Sequence, residues 1–185
     1  GMIGGPMGAN DPTPWRDPLA VLLRRAVGAR VPVIGHCLGG QILSRALGGV
    51  VTKADVVEIG WIDVEATDRG AAREWFGGRE RMNVFEWHYD AFTIPPGATR
   101  VLTNPFNENQ AYVLDGRHIG FQCHVEMTRE LVTTWCGMAP DELPAASTPS
   151  RQSRDDILRD LDAHVASLNV LADGIYARWA RGLAH

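Results

Sequence analysis

Apolar residues in the first fifty positions change their spacing twice, and each spacing predicts a different element. Between 18 and 27 they recur at helical intervals, so we expect a helix there that Gly28 caps. Residues 31–34, VPVI, form a short continuous apolar run, which is typical of a strand buried on both faces of a parallel sheet. A glycine-rich turn follows at 35–39, and helical spacing returns over 40–47. The pattern predicts a helix, a strand, a tight turn and a second helix.

The rest of the chain alternates between short strands and helices. Turn signals at 95–97, PPG, and 115–116, DG, separate several of the strands. This pattern predicts an α/β fold with a mostly parallel sheet in a single domain, whose core is residues 3–136. We expect strands over 50–52, 60–65, 83–87, 100–103, 111–114 and 118–123, a helix over 128–136, a linker over 139–150 and a long helix over 154–182.

Composition narrows the class of protein. With 185 residues, 45% of them hydrophobic, the chain can build one domain with its own core and does not resemble a disordered chain. The 22 acidic and 18 basic residues give a net charge of −4 without a basic block, which argues against nucleic acid and anionic membranes as partners. No apolar run approaches the ~20 residues of a membrane span.

Cysteine usage indicates a compartment. The three cysteines, Cys37, Cys123 and Cys136, are odd in number and lack the spacing of metal ligands. The N-terminal residues do not resemble a secretory signal, because prolines and charged residues interrupt them. We therefore expect free thiols in a reducing, cytoplasmic setting.

The segment 33–41, VIGHCLGGQ, is the first candidate for chemistry. A strand ends, Gly-x-Cys-x-Gly makes a tight turn and a helix begins, which is the geometry that presents a nucleophile in the serine version of this motif. Cys37 would stand at a helix N-terminus, whose partial positive charge favours the thiolate. The backbone N–H of Leu38 would then be free to stabilise an oxyanion. The alternative is a buried cysteine in an ordinary strand–helix turn.

The second candidate is GFQCHVE at 120–126, where the last strand ends. Residues two apart on a strand share a face, so His124 and Glu126 point the same way. A carboxylate in this relation holds the imidazole in one tautomer and leaves its other nitrogen to serve a thiol. Taken alone, such a pair is more typical of a solvated surface, but together with Cys37 it favours a triad.

These two segments together resemble the class I glutamine amidotransferases. The family pattern is Gly-x-Cys-x-Gly-x-Gln, followed much later by Gln-Phe-His-x-Glu, and IGGPMGAND at 3–11 is similar to the family's glycine-rich oxyanion loop. The resemblance covers most of residues 3–136 and implies a flavodoxin-like α/β fold. Further matching stretches are EIGW at 58–61, EWHYDAFTIPPGA at 86–98 and NQAYV at 109–113.

The resemblance implies a role for each residue of the catalytic group. Cys37 corresponds to the nucleophile, His124 to the general base and acid, and Glu126 to the residue that orients the histidine. The backbone N–H groups of Gly5 and Leu38 correspond to the donors of the oxyanion hole.

Other residues near these motifs are expected to bind substrate or to support the structure. Gln41 falls on the family's glutamine that helps to bind the amino-acid end of the substrate. His88 lies in a segment that lines the mouth of the site, where it serves either substrate contact or structural hydrogen bonding. His36 adjoins the nucleophile but is expected to point elsewhere, and Cys123, where the family usually has Phe, is expected to pack in the core. We expect no cofactor and no metal, since the sequence has neither a phosphate-binding loop nor a histidine cluster.

The activity implied is hydrolysis of the glutamine γ-amide through a thioester on Cys37, with release of ammonia. Glutamine or a γ-glutamyl small molecule is then the substrate, and a synthetase that accepts the ammonia is the expected partner. Two alternatives stay open. A γ-glutamyl peptidase would use the same triad on a γ-glutamyl peptide bond, and a catalytically weak regulatory homologue would keep the fold without turnover.

The N-terminus departs from the family. The glycine-rich loop normally follows a strand–helix–strand unit, whereas here Ile3 directly precedes the glycines. We expect a chain shorter than its functional relatives, through a misplaced start or a deletion, with an unpaired strand over 31–34. A homo-oligomer, formed edge to edge or by exchange of the C-terminal helix, would cover that strand. Gly5 is the site residue most affected, because its loop loses the strand that anchors it.

Overall fold

Six strands form one mixed sheet with helices on both faces in the computed structural model, which describes residues 1–183. The α/β class expected from the sequence is confirmed. The strands are β1 (Ile34–His36), β2 (Val51–Ala66), β3 (Arg81–Phe92), β4 (Thr99–Thr103), β5 (Ala111–Leu114) and β6 (His118–Phe121). The helices are α1 (Arg16–Gly28), α2 (Leu38–Ala46), α3 (Arg69–Trp75), α4 (Arg129–Met138), α5 (Arg154–Leu158) and α6 (Leu161–Ala180), with short 3-10 turns at Pro140–Glu142 and Arg181–Leu183.

The sheet differs from the mostly parallel one expected. Its strand order is β1-β6-β5-β4-β2-β3, and within the described residues β1 and β6 are the one parallel pair, the other neighbours being antiparallel. A parallel neighbour needs a crossover of about a dozen residues or more. The connections between β4, β5 and β6, at 104–110 and 115–117, are too short for that, so these strands form hairpins.

Two of the expected strands, 50–52 and 60–65, belong to one long strand, β2. It pairs with β3 along most of its length, and the register shifts between Lys53 and Glu58. This bulge interrupts the alternation of apolar and polar residues, which is why the sequence pattern predicts two strands instead of one.

The long helix expected over 154–182 is interrupted. α5 ends at Leu158, α6 begins at Leu161, and between them Asp160 has a φ of +52°. A residue in this left-handed conformation cannot continue a right-handed helix. The buried side of α6, which packs into the core, consists of Leu161, Val165, Leu168, Leu171, Ala172 and Ile175.

The expected linker over 139–150 ends against the middle of β2. Ile59 N donates to Ser150 O over 2.9 Å, and Gln152 N donates to Ile59 O over 2.8 Å. The side chain of Gln152 also bonds with the backbone N–H and C=O of Trp61. These contacts fix the path of the chain before α5.

The sheet divides the core into two apolar layers. α1 and α2 cover one face, where Leu23 and Leu43 pack. α4, α5 and α6 cover the other face, where Phe85, Phe121 and Leu168 pack. This is the layered arrangement that buries both sides of an open α/β sheet. Among the described residues, none of the helices has the length and apolar character that crossing a membrane requires.

The N-terminal segment is anchored on the edge of β1 where an unpaired strand was expected. Met2 bridges in parallel to Gly35, with Met2 N donating to Ile34 O over 2.9 Å and His36 N donating to Met2 O over 3.0 Å. The glycine-rich loop that follows therefore keeps an attachment to the sheet. Self-association through this edge stays a prediction.

Candidate active site

Cys37 lies between β1 and α2 in a backbone conformation that few residues adopt. Its φ is +49° and its ψ is −111°, a strained combination of the kind that clusters at functional sites. Cys37 N donates to Phe121 O over 2.9 Å, which ties the turn to β6. A Cβ on Gly35 would lie 2.5 Å from the backbone of Gly39, so glycine at position 35 allows the helix to begin this close to the strand. The turn has the strand–turn–helix geometry expected from the sequence.

His124 and Glu126 follow β6 and form a close pair. His124 Nδ1 lies 2.7 Å from Glu126 Oε1, and His124 N donates to Phe85 O over 2.8 Å. The other ring nitrogen, Nε2, is buried without a hydrogen-bond partner among residues 1–183. A Cβ on Gly4 would lie 2.5 Å from His124 Cε1 and 3.5 Å from Cys37 Cβ, so both side chains border this glycine. The structure thus brings the three residues of the expected triad together, and their catalytic roles stay predictions.

Electrostatics favour an ion pair between the imidazole and the carboxylate. Burial lowers the pKa of His124, but the nearby Glu126 carboxylate and Cys37 sulfur outweigh burial and hold that pKa well above its ordinary value. Burial raises the pKa of Glu126, and the charge and hydrogen bond of His124 bring it below its ordinary value. A protonated imidazole in this position can give a proton to a leaving group.

The glycine-rich loop places backbone N–H groups near Cys37. Within the described residues, the N–H groups of Gly5 and Leu38 make no hydrogen bond. A Cβ on Gly5 would lie 3.2 Å from Leu38 Cδ2, so the two residues are neighbours. Two free N–H donors close together suit the oxyanion hole expected from the resemblance, and that role stays a prediction.

Gln41, which the resemblance assigns to substrate binding, lines the cavity above Cys37 but is also engaged inside the protein. Its Nε2 donates to Asp90 O over 2.9 Å and lies 3.4 Å from Gln122 Oε1. Gln122 Nε2 in turn lies 3.9 Å from Cys37 Sγ. The motif alone does not single out Gln122, although alternation places it on the face of His124, two residues later.

His88 uses both ring nitrogens within the protein. Its Nδ1 lies 3.0 Å from Asp90 O, and its Nε2 lies 3.0 Å from Glu58 Oε2. Glu58 is fully buried and also accepts hydrogen bonds from Asn104 and Gln110. For His88 this geometry favours structural hydrogen bonding over substrate contact.

His36 contacts the triad carboxylate, which the sequence does not reveal. Its Nδ1 lies 3.5 Å from Glu126 Oε2, its Nε2 lies 3.0 Å from the hydroxyl of Tyr176 on α6, and its ring stacks on Phe121. Burial lowers the pKa of His36 to about 4, so the ring is neutral near pH 7. His36 thus approaches one oxygen of the Glu126 carboxylate, while His124 contacts the other. No local pattern could show this, because Tyr176 is 140 positions away.

The other two cysteines lie in the apolar core. Cys123 and Cys136 are fully buried, in agreement with the packing role expected for Cys123. Burial raises the pKa of both thiols. Cys37, by contrast, lies in the wall of a cavity.

A cavity of about 840 Å³ opens above Cys37 and His124. The glycine-rich loop, β3 and α4 form its sides, and its volume falls within the roughly 300–1,000 Å³ of small-molecule sites. In the part of the chain that the structure describes, no group of three or more His, Cys, Asp or Glu is arranged to hold a metal ion.

Comparison with known proteins gives the same assignment as the motifs. The family model "Glutamine amidotransferase class-I" matches residues 2–132. A crystal structure of a glutamine amido transferase from Methylobacillus flagellatus has a TM-score of 0.94 and 50% sequence identity, over 97% of this chain and 74% of that chain.

Curated relatives are more distant in sequence. A glutamine-hydrolyzing GMP synthase of Aeropyrum pernix is 36% identical over 113 residues, which are 58% of this chain and 22% of the relative. The glutamine amidotransferase-like protein YfeJ of Salmonella typhimurium is 32% identical over 139 residues, 71% of this chain and 57% of the relative. This chain therefore spans only part of the curated relatives it matches. Because the family match runs from the glycine-rich loop past the His124–Glu126 pair, the chain belongs to the class I glutamine amidotransferase family.

Proposed function

We propose that this chain is a cysteine-dependent amidohydrolase that releases ammonia from the γ-amide of glutamine. The observation that carries the proposal is the placement of Cys37, in its strained turn, with the His124–Glu126 pair in the wall of one cavity. Membership of the class I family supports glutamine as the substrate.

The first half-reaction forms a thioester. The Cys37 thiolate attacks the γ-carbonyl carbon, and the N–H groups of Gly5 and Leu38 stabilise the negative charge that develops on the oxygen. The carbon–nitrogen bond then breaks, the nitrogen takes the proton of the His124 imidazolium, and ammonia leaves. The neutral imidazole that results is ready to act as a base.

The second half-reaction returns the enzyme to its starting state. His124 takes a proton from water, and the oxygen attacks the thioester carbon. The carbon–sulfur bond breaks, glutamate leaves and the thiolate–imidazolium pair is restored. Glu126 holds the imidazole through Nδ1 in both steps, so that Nε2 stays available for proton transfer.

The name of the Aeropyrum relative joins glutamine hydrolysis to GMP synthesis. This supports the further proposal that ammonia released here passes to a synthetase.

Hydrolysis of γ-glutamyl amides other than glutamine is a second candidate function. It uses the same triad and the same two steps, with an amine instead of ammonia as leaving group. The volume of the cavity favours it, because about 840 Å³ is more than glutamine fills.

Ammonia release from glutamine, coupled to glutamate dehydrogenase and followed by NADH oxidation, tests the proposal. Cys37→Ala should lower turnover by at least about a thousandfold, because a triad fails as a unit. Cys136→Ala, at a cysteine buried away from the cavity, is the matched control and should retain activity. A folded wild-type protein that releases no ammonia would contradict the proposal. That result would favour the alternative of a regulatory homologue without turnover.

A further inference from the structure

The cavity above Cys37 has two halves of different chemistry. Among the lining residues, Asp90 contacts both Gln41 and Lys53, whereas the ring of Trp135 contacts the ring of His124. The charged half contains Asp11, Lys53 and Asp90, and the apolar half contains Trp87, Leu131, Trp135 and Met138. This division indicates which end of a substrate lies in each half.

The charged half suits the amino-acid end of a γ-glutamyl group. Lys53 Nζ lies 2.7 Å from Asp90 Oδ1, and Gln41 Nε2 donates to Asp90 O. Asp11 lies at the tip of the glycine-rich loop, where its carboxylate accepts from Gly8 N over 2.8 Å. One cation and two carboxylates can meet the carboxylate and the ammonium of an α-amino acid.

The apolar half lies where the leaving group departs. The ring of His124 meets the ring of Trp135 edge to face, with centroids 5.0 Å apart, and Trp135 meets Trp87 at 6.0 Å. The leaving nitrogen takes its proton from His124, so the atoms attached to that nitrogen point toward this aromatic wall. Leu131 and Met138 on α4 continue the wall toward solvent and are 38% and 78% exposed.

Ammonia, with one non-hydrogen atom, is too small to contact this aromatic wall. Glutamine has about ten non-hydrogen atoms, and at even a water's ~30 Å³ for each atom it fills about 300 Å³. The cavity measures about 840 Å³, so most of its volume lies beyond the glutamyl group. At the rim, the carboxylate of Glu142 accepts hydrogen bonds from Trp87 Nε1 and the Tyr89 hydroxyl. Its charge is therefore already paired with donors of the protein.

We propose that the apolar half binds the amine portion of γ-glutamyl amides, so that this chain hydrolyses γ-glutamyl amides of apolar primary amines in preference to glutamine. The inference rests on the proposed function and specifies its substrate class. The Cys37 thiolate forms a bond to the γ-carbon, the carbon–nitrogen bond breaks, and the amine leaves with the proton of His124. Water then cleaves the thioester to give glutamate, so that one amide and one water yield one amine and one glutamate.

A series of synthetic γ-glutamyl amides tests the proposal. The n-propylamide and the 2-hydroxyethylamide have the same number of non-hydrogen atoms and differ in polarity, and the benzylamide matches the aromatic wall. With glutamate formation as the common readout, kcat/KM for the benzylamide should exceed that for glutamine by about tenfold or more. The propylamide should exceed the hydroxyethylamide by about tenfold.

Variants locate the effect. Leu131→Ser combined with Met138→Ser should lower the ratio of kcat/KM for the benzylamide to that for glutamine by about tenfold. Val170→Ser, on the exposed side of α6 away from the cavity, is the matched control and should leave both values unchanged. A ratio that the double variant does not change would overturn the placement of the amine on this wall.

The outcomes separate this inference from the proposed function. Hydrolysis of glutamine with slower hydrolysis of every amide would overturn the substrate class alone, and is the result expected if the apolar rim serves as a contact for a protein. Failure to hydrolyse glutamine and all amides would overturn the proposed function and this inference together.

Discussion

The pH dependence of stability should reveal the buried His36, and its size can be worked out from the structure. Burial brings the pKa of His36 from 6.5 in the unfolded chain to about 4 in the folded protein. Between these pH values the His36 ring therefore binds a proton in the unfolded chain but not in the folded protein. This group makes the free energy of unfolding fall as the pH falls. At 1.36 kcal/mol for each pKa unit, the loss is about 2 kcal/mol at pH 5 and about 3 kcal/mol at pH 4.

Two other groups of the site affect stability in different pH ranges. The raised pKa of His124 stabilises the fold fully below its unfolded value of 6.5, and this contribution is lost as the pH rises toward the folded pKa. The lowered pKa of Glu126 acts below 4.5 and adds to the loss in acid. Between pH 5 and 6.5, the lowered pKa values of His36 and His118 make the free energy of unfolding fall with falling pH, whereas the buried Glu86, whose pKa burial holds well above its ordinary value, opposes them. The difference between the wild type and a variant without His36 therefore isolates the contribution of His36.

Urea unfolding of His36→Phe and Tyr176→Phe between pH 5 and 7.5 measures this slope. His36→Phe keeps a ring against Phe121 and removes the titrating group, so its change in the free energy of unfolding between pH 7.5 and pH 5 should differ from that of the wild type by about 2 kcal/mol. Tyr176→Phe removes the same hydrogen bond but leaves the histidine, so the slope should persist. Equal slopes in the wild type and His36→Phe would refute the reasoning.

Three further predictions concern the site and the assembly. Glu126→Gln should lower kcat/KM by about ten- to a hundredfold, since a charge-assisted hydrogen bond is worth about 1.5–3 kcal/mol; unchanged kinetics would remove Glu126 from the triad. Cys37 should react with limiting iodoacetamide before the buried Cys136, and His124→Asn should slow this labelling; peptide mapping decides, and faster labelling of Cys136 contradicts the assignment. Sedimentation at micromolar concentration should show a homo-oligomer, and a monomer of 20.2 kDa with a cooperative melt would disprove self-association.

The features that could be predicted from the sequence are those set within a few residues. The turn around Cys37 follows from glycine spacing, because the close approach of strand and helix leaves no room for a side chain at Gly35. The pairing of His124 with Glu126 follows from strand alternation in the same way. Family resemblance then supplied the pairing of these two distant segments, which spacing alone does not contain.

The features that could not be predicted depend on contacts far apart in the chain. The bulge after Lys53 makes β2 one strand, and only its pairing with β3 shows this. The left-handed Asp160 interrupts a stripe of apolar residues that continues unbroken in the sequence. His36 shows no local sign of a role, because its partners come from the end of β6 and from α6.

The contact between His36 and Tyr176 affects when the site is completed during synthesis and how it is lost on unfolding. Tyr176 lies on α6, which is synthesised after Cys37, His124 and Glu126. The Tyr176 hydroxyl that contacts His36 is therefore added only after all three residues of the expected triad are present. Activity should therefore appear late in synthesis, after α6 has docked. Local unfolding that frees α6 without separating the strands would break this contact. Such unfolding would release the His36 ring next to the Glu126 carboxylate while β1 and β6 remain paired.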